Sequence, residues 1–227
     1  MCRAGSAQSA NSDVMVRIAD RIAACLQGIA TGDAVGKQTE GLSQGGVQRW
    51  YPNGVRGFEG IPGAVIPRYA ANSKRQWRIG ETTDDTERTL AVARAILTER
   101  EVSHVSIGRE LLGCVKCVHP GVKSLWEFHH AADPTRIAVG HDGCGAAIRV
   151  APVGILHSSD SLEELVNDAR EASISTHAGS LAIAAAAATA AAVSAAIDAA
   201  PAEQVLALAE RAAARAESRW PSRLTAA

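Results

Sequence analysis

Apolar positions recur every three or four residues through most of this chain, the spacing of one face of an α-helix. Ile18, Ile22, Cys25 or Leu26, and Ile29 share such a face. They predict a first helix, capped by Ser12 or Asp13 and running out at Gly32. Leu90, Ala93 and Leu97 predict the buried face of a second helix starting near Thr83. A third starts at Ser103, carries Val105, Leu111, Leu112 and Val115, and stops before His119-Pro120-Gly121. A short helix follows around Leu125 and Phe128. Ser161-Leu162-Glu163-Glu164 has the form of a capping box, opening a helix with Leu162, Leu165 and Ala169 inward. The run LAIAAAAATAAAVSAAI over 181–197 predicts another, and Pro201 fits the first position of a last helix ending near Ser218.

Two segments lack this rhythm. Residues 41–80 are rich in glycine, hold three prolines, and carry Trp50, Tyr51, Tyr69 and Trp77, which predicts a long functional loop with short turns. Residues 137–157 are also rich in glycine and include Arg149 and Pro152. No alternating strand pattern competes, and no repeat of solenoid length is present. The expectation is an all-α chain, with residues 1–13 a flexible tail lacking a signal core and residues 14–227 one helical domain.

Composition sharpens this picture at three points. Aromatics make up only 4% of the 227 residues while alanine is abundant, which favours closely packed helices. A formal net charge of -1 gives no electrostatic case for nucleic acid or an anionic membrane. The run 181–197 comes close to spanning length, but alanine gains little from lipid, so a buried helix of a soluble bundle is expected. The five cysteines are an odd number, which argues against a disulfide framework and for a reducing cytoplasm. Cys114 and Cys117 form a Cys-x-x-Cys with His119 beyond, but no second pair at zinc spacing follows, so they read as small apolar residues one turn apart.

The chemistry concentrates in 81–90, Glu-Thr-Thr-Asp-Asp-Thr-Glu-Arg-Thr-Leu. Thr83, Asp84 and Asp85 offer hard oxygens suited to magnesium or manganese. The same residues also make a good helix start, with a hydroxyl cap and acids at the positive end of the helix dipole. Gly32-Asp33-Ala34-Val35-Gly36-Lys37-Gln38-Thr39-Glu40 is a turn with a glycine cap and a solvated glutamate, and its spacing is not that of a P-loop. Gly143-Cys144-Gly145 precedes Arg149, either as a close approach to a flat or phosphorylated ligand or as tight helix packing. Ser175-Thr176-His177 lies at a helix junction, where a lone histidine is more often structural than catalytic.

Taken in order, these elements resemble the ADP-ribosylglycohydrolase family. The resemblance rests on Gly32 to Gly36 with Glu40, on Thr83 to Thr86, on Gly143 to Gly154 with Ile148 in place of Met, and on Thr176-His177 opening a small-residue helix. Arg49 to Pro52 is similar to one branch of the family, and the likeness spans residues 18 to about 198. It implies an all-α domain with a two-metal magnesium or manganese centre, acting on an ADP-ribosylated protein or small molecule by cleaving the bond from C1″ of ADP-ribose to an arginine, a serine or another acceptor. By the same resemblance Thr83, Asp84 and Asp85 are metal ligands. Glu40, Asp84 and Asp85 are catalytic candidates. Gly143, Cys144, Gly145 and His177 line the substrate cleft, His177 at the adenosine end.

One departure stands out. The family closes its metal site with a C-terminal Gly-Asp-x-Asp-Thr or Ser element, and residues 199–227 contain no aspartate. The expectation is a C-terminally shortened domain, by divergence or by truncation. A second reading follows, a degenerate member that binds ADP-ribose or a related nucleotide without hydrolysis. A third is a purely structural role for the helical scaffold.

Overall fold

The computed structural model describes residues 5–70, 75–116 and 123–221, with side chains from residue 17 onward. Ten α-helices follow one another among these residues, with no β-strand. They are α1 (Gly5–Gly36), α2 (Gln44–Trp50), α3 (Asp84–Glu99), α4 (His104–Leu112), α5 (Lys123–Ala131), α6 (Gly145–Arg149), α7 (Ala151–Leu156), α8 (Leu162–Ile174), α9 (Ser180–Ile197) and α10 (Ala202–Arg219). The all-α expectation is met.

The alanine-rich α9 is the hub, with α6, α7, α8 and α10 packed around it. It is the one helix among the described residues long and apolar enough to cross a membrane by length and composition. Here its small side chains instead let neighbouring backbones approach. A Cβ built on Gly154 of α7 would lie 2.3 Å from the carbonyl oxygen of Ala190 in α9. Phe128, Ile107, Leu111, Val153 and Leu165 are fully buried beside this alanine layer. The cap of α4 by Ser103, the short helix around Leu125 and Phe128, and the inward Leu165 and Ala169 agree with the sequence.

Three expectations about the later helices are corrected. In α3 the buried residues include Val92, Ala95 and Ile96, while Leu90 is exposed, Leu97 is 69% exposed and Ala93 is half-buried. That face, with its alanines and β-branched residues, is the one buried in α3, which packs on α4 and α6. Leu97 and Ala93 instead border an apolar groove with Ile22, Leu26, Ile155 and Leu156. Ser161 occupies the cap position of α8, but its side chain makes no cap hydrogen bond, so the capping box does not form. Val115 lies beyond the end of α4 and is exposed.

Helix α1 starts at Gly5, within the expected tail, and continues through Gly32 to Gly36. An interior glycine costs about 1 kcal/mol. The hydrogen bonds that Asp33 makes from the continuing helix outweigh it, as described below. Cys117 and His119 lie outside the described residues, while Cys114 is buried, its thiol pushed up to about 11 by desolvation.

Part of the expected long loop is also ordered by local hydrogen bonds. Ser43 caps α2 by accepting the Gly46 N–H. The buried Gln38 side chain donates to the Gly57 carbonyl and accepts from the Glu59 N–H, at 2.7 and 2.9 Å. Arg68 donates to the carbonyls of Lys37, Gln38 and Glu40. The loop is thus tied to the end of α1, and Ile66, Trp77 and Ile79 form a small core of their own beneath it.

Candidate functional site

Two remote aspartates hold the two helix starts that frame the site. Asp33, near the end of α1, accepts the Thr83 N–H at 2.7 Å, the Thr83 hydroxyl at 2.7 Å, the Thr86 N–H at 3.2 Å and the Thr86 hydroxyl at 2.6 Å. Thr83 in turn accepts the Asp85 N–H. A carboxylate therefore sits on the positive end of α3 and takes up N–H groups that lack intrahelical partners. Asp142 does the same at α9, accepting from the N–H groups of Leu181 and Ala182. That contact anchors the segment leading into Gly143-Cys144-Gly145.

Asp84 and Asp85 share one cation. Arg88 Nη2 lies 2.5 Å from Asp84 Oδ2 and 2.7 Å from Asp85 Oδ1, and its Nε donates to the Asp84 carbonyl. The Arg88 side chain is only 4% exposed, whereas both carboxylates are partly open to the cleft. Burial pushes the Asp85 carboxyl above its ordinary value; Arg88 opposes this, and the nearby charges of Asp84 and Asp33 add to it.

The glycine segment meets His177 edge-on. A Cβ on Gly145 would stand 2.6 Å from His177 Cε1, and one on Gly143 would stand 3.3 Å from Nε2. Only glycine fits at Gly145 without moving the ring. His177 is buried, with Nδ1 at 2.8 Å from the Thr176 hydroxyl and Nε2 at 3.3 Å from the Ser124 hydroxyl. Desolvation, reinforced by Arg149 and Arg88, lowers its pKa to about 3, so the ring is neutral. Arg149 is fully buried and donates to the carbonyls of Gly145, Ala172 and Ser173, a structural role.

These pieces enclose a cleft of about 720 Å³. Glu40, Asp84, Asp85, Gly143, Cys144, Gly145 and His177 all line it, so the candidates far apart in sequence come together. Thr83 and Asp33 line a smaller adjoining cleft of about 480 Å³, with Lys37, Glu40 and Asp85 on the shared border. Glu40 is ion-paired with Lys37 and lies at the open edge. The wall also carries Lys37, Arg75, Lys116 and Lys123. The Lys37 and Arg75 cations both lie over the Trp77 ring, 4.2 and 3.8 Å from its centre.

The donor set suits a hard divalent cation in kind, since Thr83, Asp84 and Asp85 offer hydroxyl and carboxylate oxygens. Its present partners are internal: Arg88 for the carboxylates, Asp33 for the Thr83 hydroxyl. Among the described residues no three Asp, Glu, His or Cys side chains converge on one point as a metal group.

Asp33, Arg88 and the lysine rim were not singled out from the sequence. Arg88 follows Asp85 by three residues and Asp84 by four, the spacing of neighbours on a helix, which was the available signal. Asp33 gave none beyond its place in a glycine-flanked turn.

The sequence profile of the ADP-ribosylglycohydrolase family matches residues 15–227. An uncharacterized protein of Archaeoglobus fulgidus is 32% identical over 172 residues, covering 71% of this chain and 51% of that protein. The uncharacterized protein YegU of Escherichia coli K12 is 29% identical over 178 residues, covering 74% of this chain and 51% of its own length. This chain thus spans about half the length of these curated relatives. The chain belongs to the ADP-ribosylglycohydrolase family.

Proposed function

We propose, with membership of the ADP-ribosylglycohydrolase family as the premise, that the large cleft receives the ADP-ribose part of a modified protein or small molecule and that its C1″ glycosidic bond is hydrolysed there. One observation carries the reading: Glu40, Asp84 and Asp85 face the same cleft as the Gly143–Gly145 segment and a lysine-rich rim. The lysines suit a diphosphate, and glycines let the backbone approach it closely. The neutral His177 presents an uncharged ring edge to the adenosine end.

Departure of the leaving group from C1″ builds positive charge on the ribose ring. Carboxylates fixed beside that carbon stabilise it. Glu40, the most exposed of the three, orients the attacking water and accepts its proton. Thr83, Asp84 and Asp85 would hold magnesium or manganese, which when bound lowers the pKa of a coordinated water and organises the ribose hydroxyls. The test is release of free ADP-ribose from ADP-ribosylated peptides by the folded chain, with magnesium or manganese supplied. Loss of release in Asp84→Ala and Asp85→Ala is expected; no release under any metal condition rejects hydrolysis.

A second reading is favoured by the Arg88 contact. With both aspartates already engaged by Arg88, the chain would bind ADP-ribose without cleaving it. Calorimetry with ADP-ribose in the presence of chelator, beside the release assay, separates the two.

A further inference from the structure

We propose that Arg88 is the resident counter-cation of the Asp84–Asp85 pair, and that a divalent ion binds these carboxylates only in competition with it. The inference rests on the metal-site reading above and adds what governs access to that site. Arg88 leaves α3 one turn after the aspartates, and a single nitrogen, Nη2, meets one oxygen of each. A cation between two carboxylates is the arrangement a bridging metal would make. The guanidinium is held there on its Nε side and has room on its Nη1 side. Its Nε donates to the Asp84 carbonyl, and Nη1 points towards Gly145, 3.2 Å from where a Cβ on that glycine would stand. The glycine leaves the space that the buried arginine uses.

The charge count explains the competition. Two carboxylates and one guanidinium sum to -1, whereas adding a divalent ion makes the group +1 in a partly desolvated place. Like charges this close disfavour joint occupancy. A divalent ion must therefore displace the guanidinium, or bind weakly through the outer carboxylate oxygens and water. An arginine keeps its charge at any working pH, so deprotonation offers no escape. The guanidinium can only move, and the neighbouring direction is the cleft, where an anionic ligand would receive it.

The experiment measures manganese binding to the full chain by electron paramagnetic resonance of the free ion, with no substrate present. Arg88→Met keeps the apolar stem but removes the charge; Arg88→Gln keeps an amide NH2 donor group and guards against misfolding of the first variant. Both are checked by circular dichroism. Binding about tenfold tighter or more than in the unaltered chain is expected in each folded variant, because an unpaired carboxylate pair is left behind. Adding Asp85→Asn should abolish the gain. Equal affinity with and without Arg88, or a gain that survives Asp85→Asn, overturns the proposal. So does tight manganese binding by the unaltered chain that Asp85→Asn removes. The functional reading fails separately. A chain that gains manganese in Arg88→Met yet neither binds nor cleaves ADP-ribose keeps the competition and loses the function. A chain that cleaves with magnesium and shows no gain in either variant does the reverse.

Discussion

Asp33 Oδ1 accepts the Thr83 hydroxyl at 2.7 Å, joining the end of α1 to the first turn of α3 across fifty residues of sequence. The same carboxylate takes three more hydrogen bonds from Thr83 and Thr86. It fixes where Asp84 and Asp85 stand relative to Glu40, which follows Asp33 by two turns. Removing it strips α3 of an ionised cap and leaves four donors to find other partners. Asp33→Ala should destabilise the chain by about 2–4 kcal/mol, and Asp33→Asn by roughly half of that. Urea denaturation measures both; a loss below about 0.5 kcal/mol would show the contact to be incidental.

The neutral His177 predicts a pH dependence with a defined sign. Its folded pKa, about 3, lies below the ordinary 6.5, so the unfolded chain takes up a proton that the folded chain refuses. Stability from this group is fully present above pH 6.5 and is lost as pH falls towards 3. Between these limits the slope is about 1.4 kcal/mol per pH unit for the one proton involved. In His177→Gln that slope should disappear while other groups keep theirs. The measurement is unfolding free energy at pH 6, 5 and 4 in both chains; parallel curves would remove the histidine from the account.

Asp85 has the opposite sign. Desolvation raises its carboxyl above the ordinary 3.8, against the pull of Arg88. The folded chain therefore holds a proton that the unfolded chain has released, and the stabilisation is greatest at low pH and lost as pH rises through the folded value. Asp85→Asn, which cannot ionise, should gain on the unaltered chain as pH rises from 4 to 7 in the presence of chelator. Thermal unfolding across that range decides it, and a relative loss for the variant would contradict the burial argument.

Helix positions were readable because a 3.6-residue period leaves a trace in any sequence long enough to show it, and the runs before Leu111, Phe128 and Leu165 did so. Which face of a helix turns inward was less readable. In α3 the period admits either Leu90-Ala93-Leu97 or Val92-Ala95-Ile96, and hydrophobicity alone does not choose between them. The second set is buried because α4, α6 and α7 pack on that face, and that is a property of the neighbours. The site shows the same division. Glu40, Asp84, Asp85, Gly143, Cys144, Gly145 and His177 carry local motifs and proved to share one cleft. Asp33 and Arg88 act through distance and burial. No local pattern says that a carboxylate will reach a helix fifty residues away; Arg88 stands at helix spacing from both acids, but its burial is set by the surrounding fold.

Two glycines separate packing from binding. At Gly154 an added Cβ would meet the Ala190 carbonyl at 2.3 Å, backbone against backbone, and neither helix can yield alone. Gly154→Ala should cost about 1–3 kcal/mol of stability. At Gly145 the added Cβ would meet His177 Cε1 at 2.6 Å and Arg88 Nη1 at 3.2 Å, two side chains on the cleft wall. They can shift, but only by changing the shape of the floor and the arginine's contact with the aspartates. Gly145→Ala should therefore keep most of the stability and lose affinity for ADP-ribose by about tenfold or more, the loss of one good contact. Calorimetry of ligand binding beside thermal unfolding, in both variants, checks the contrast. If Gly145→Ala binds ADP-ribose as well as the unaltered chain, the glycine segment is packing only and the nucleotide lies elsewhere.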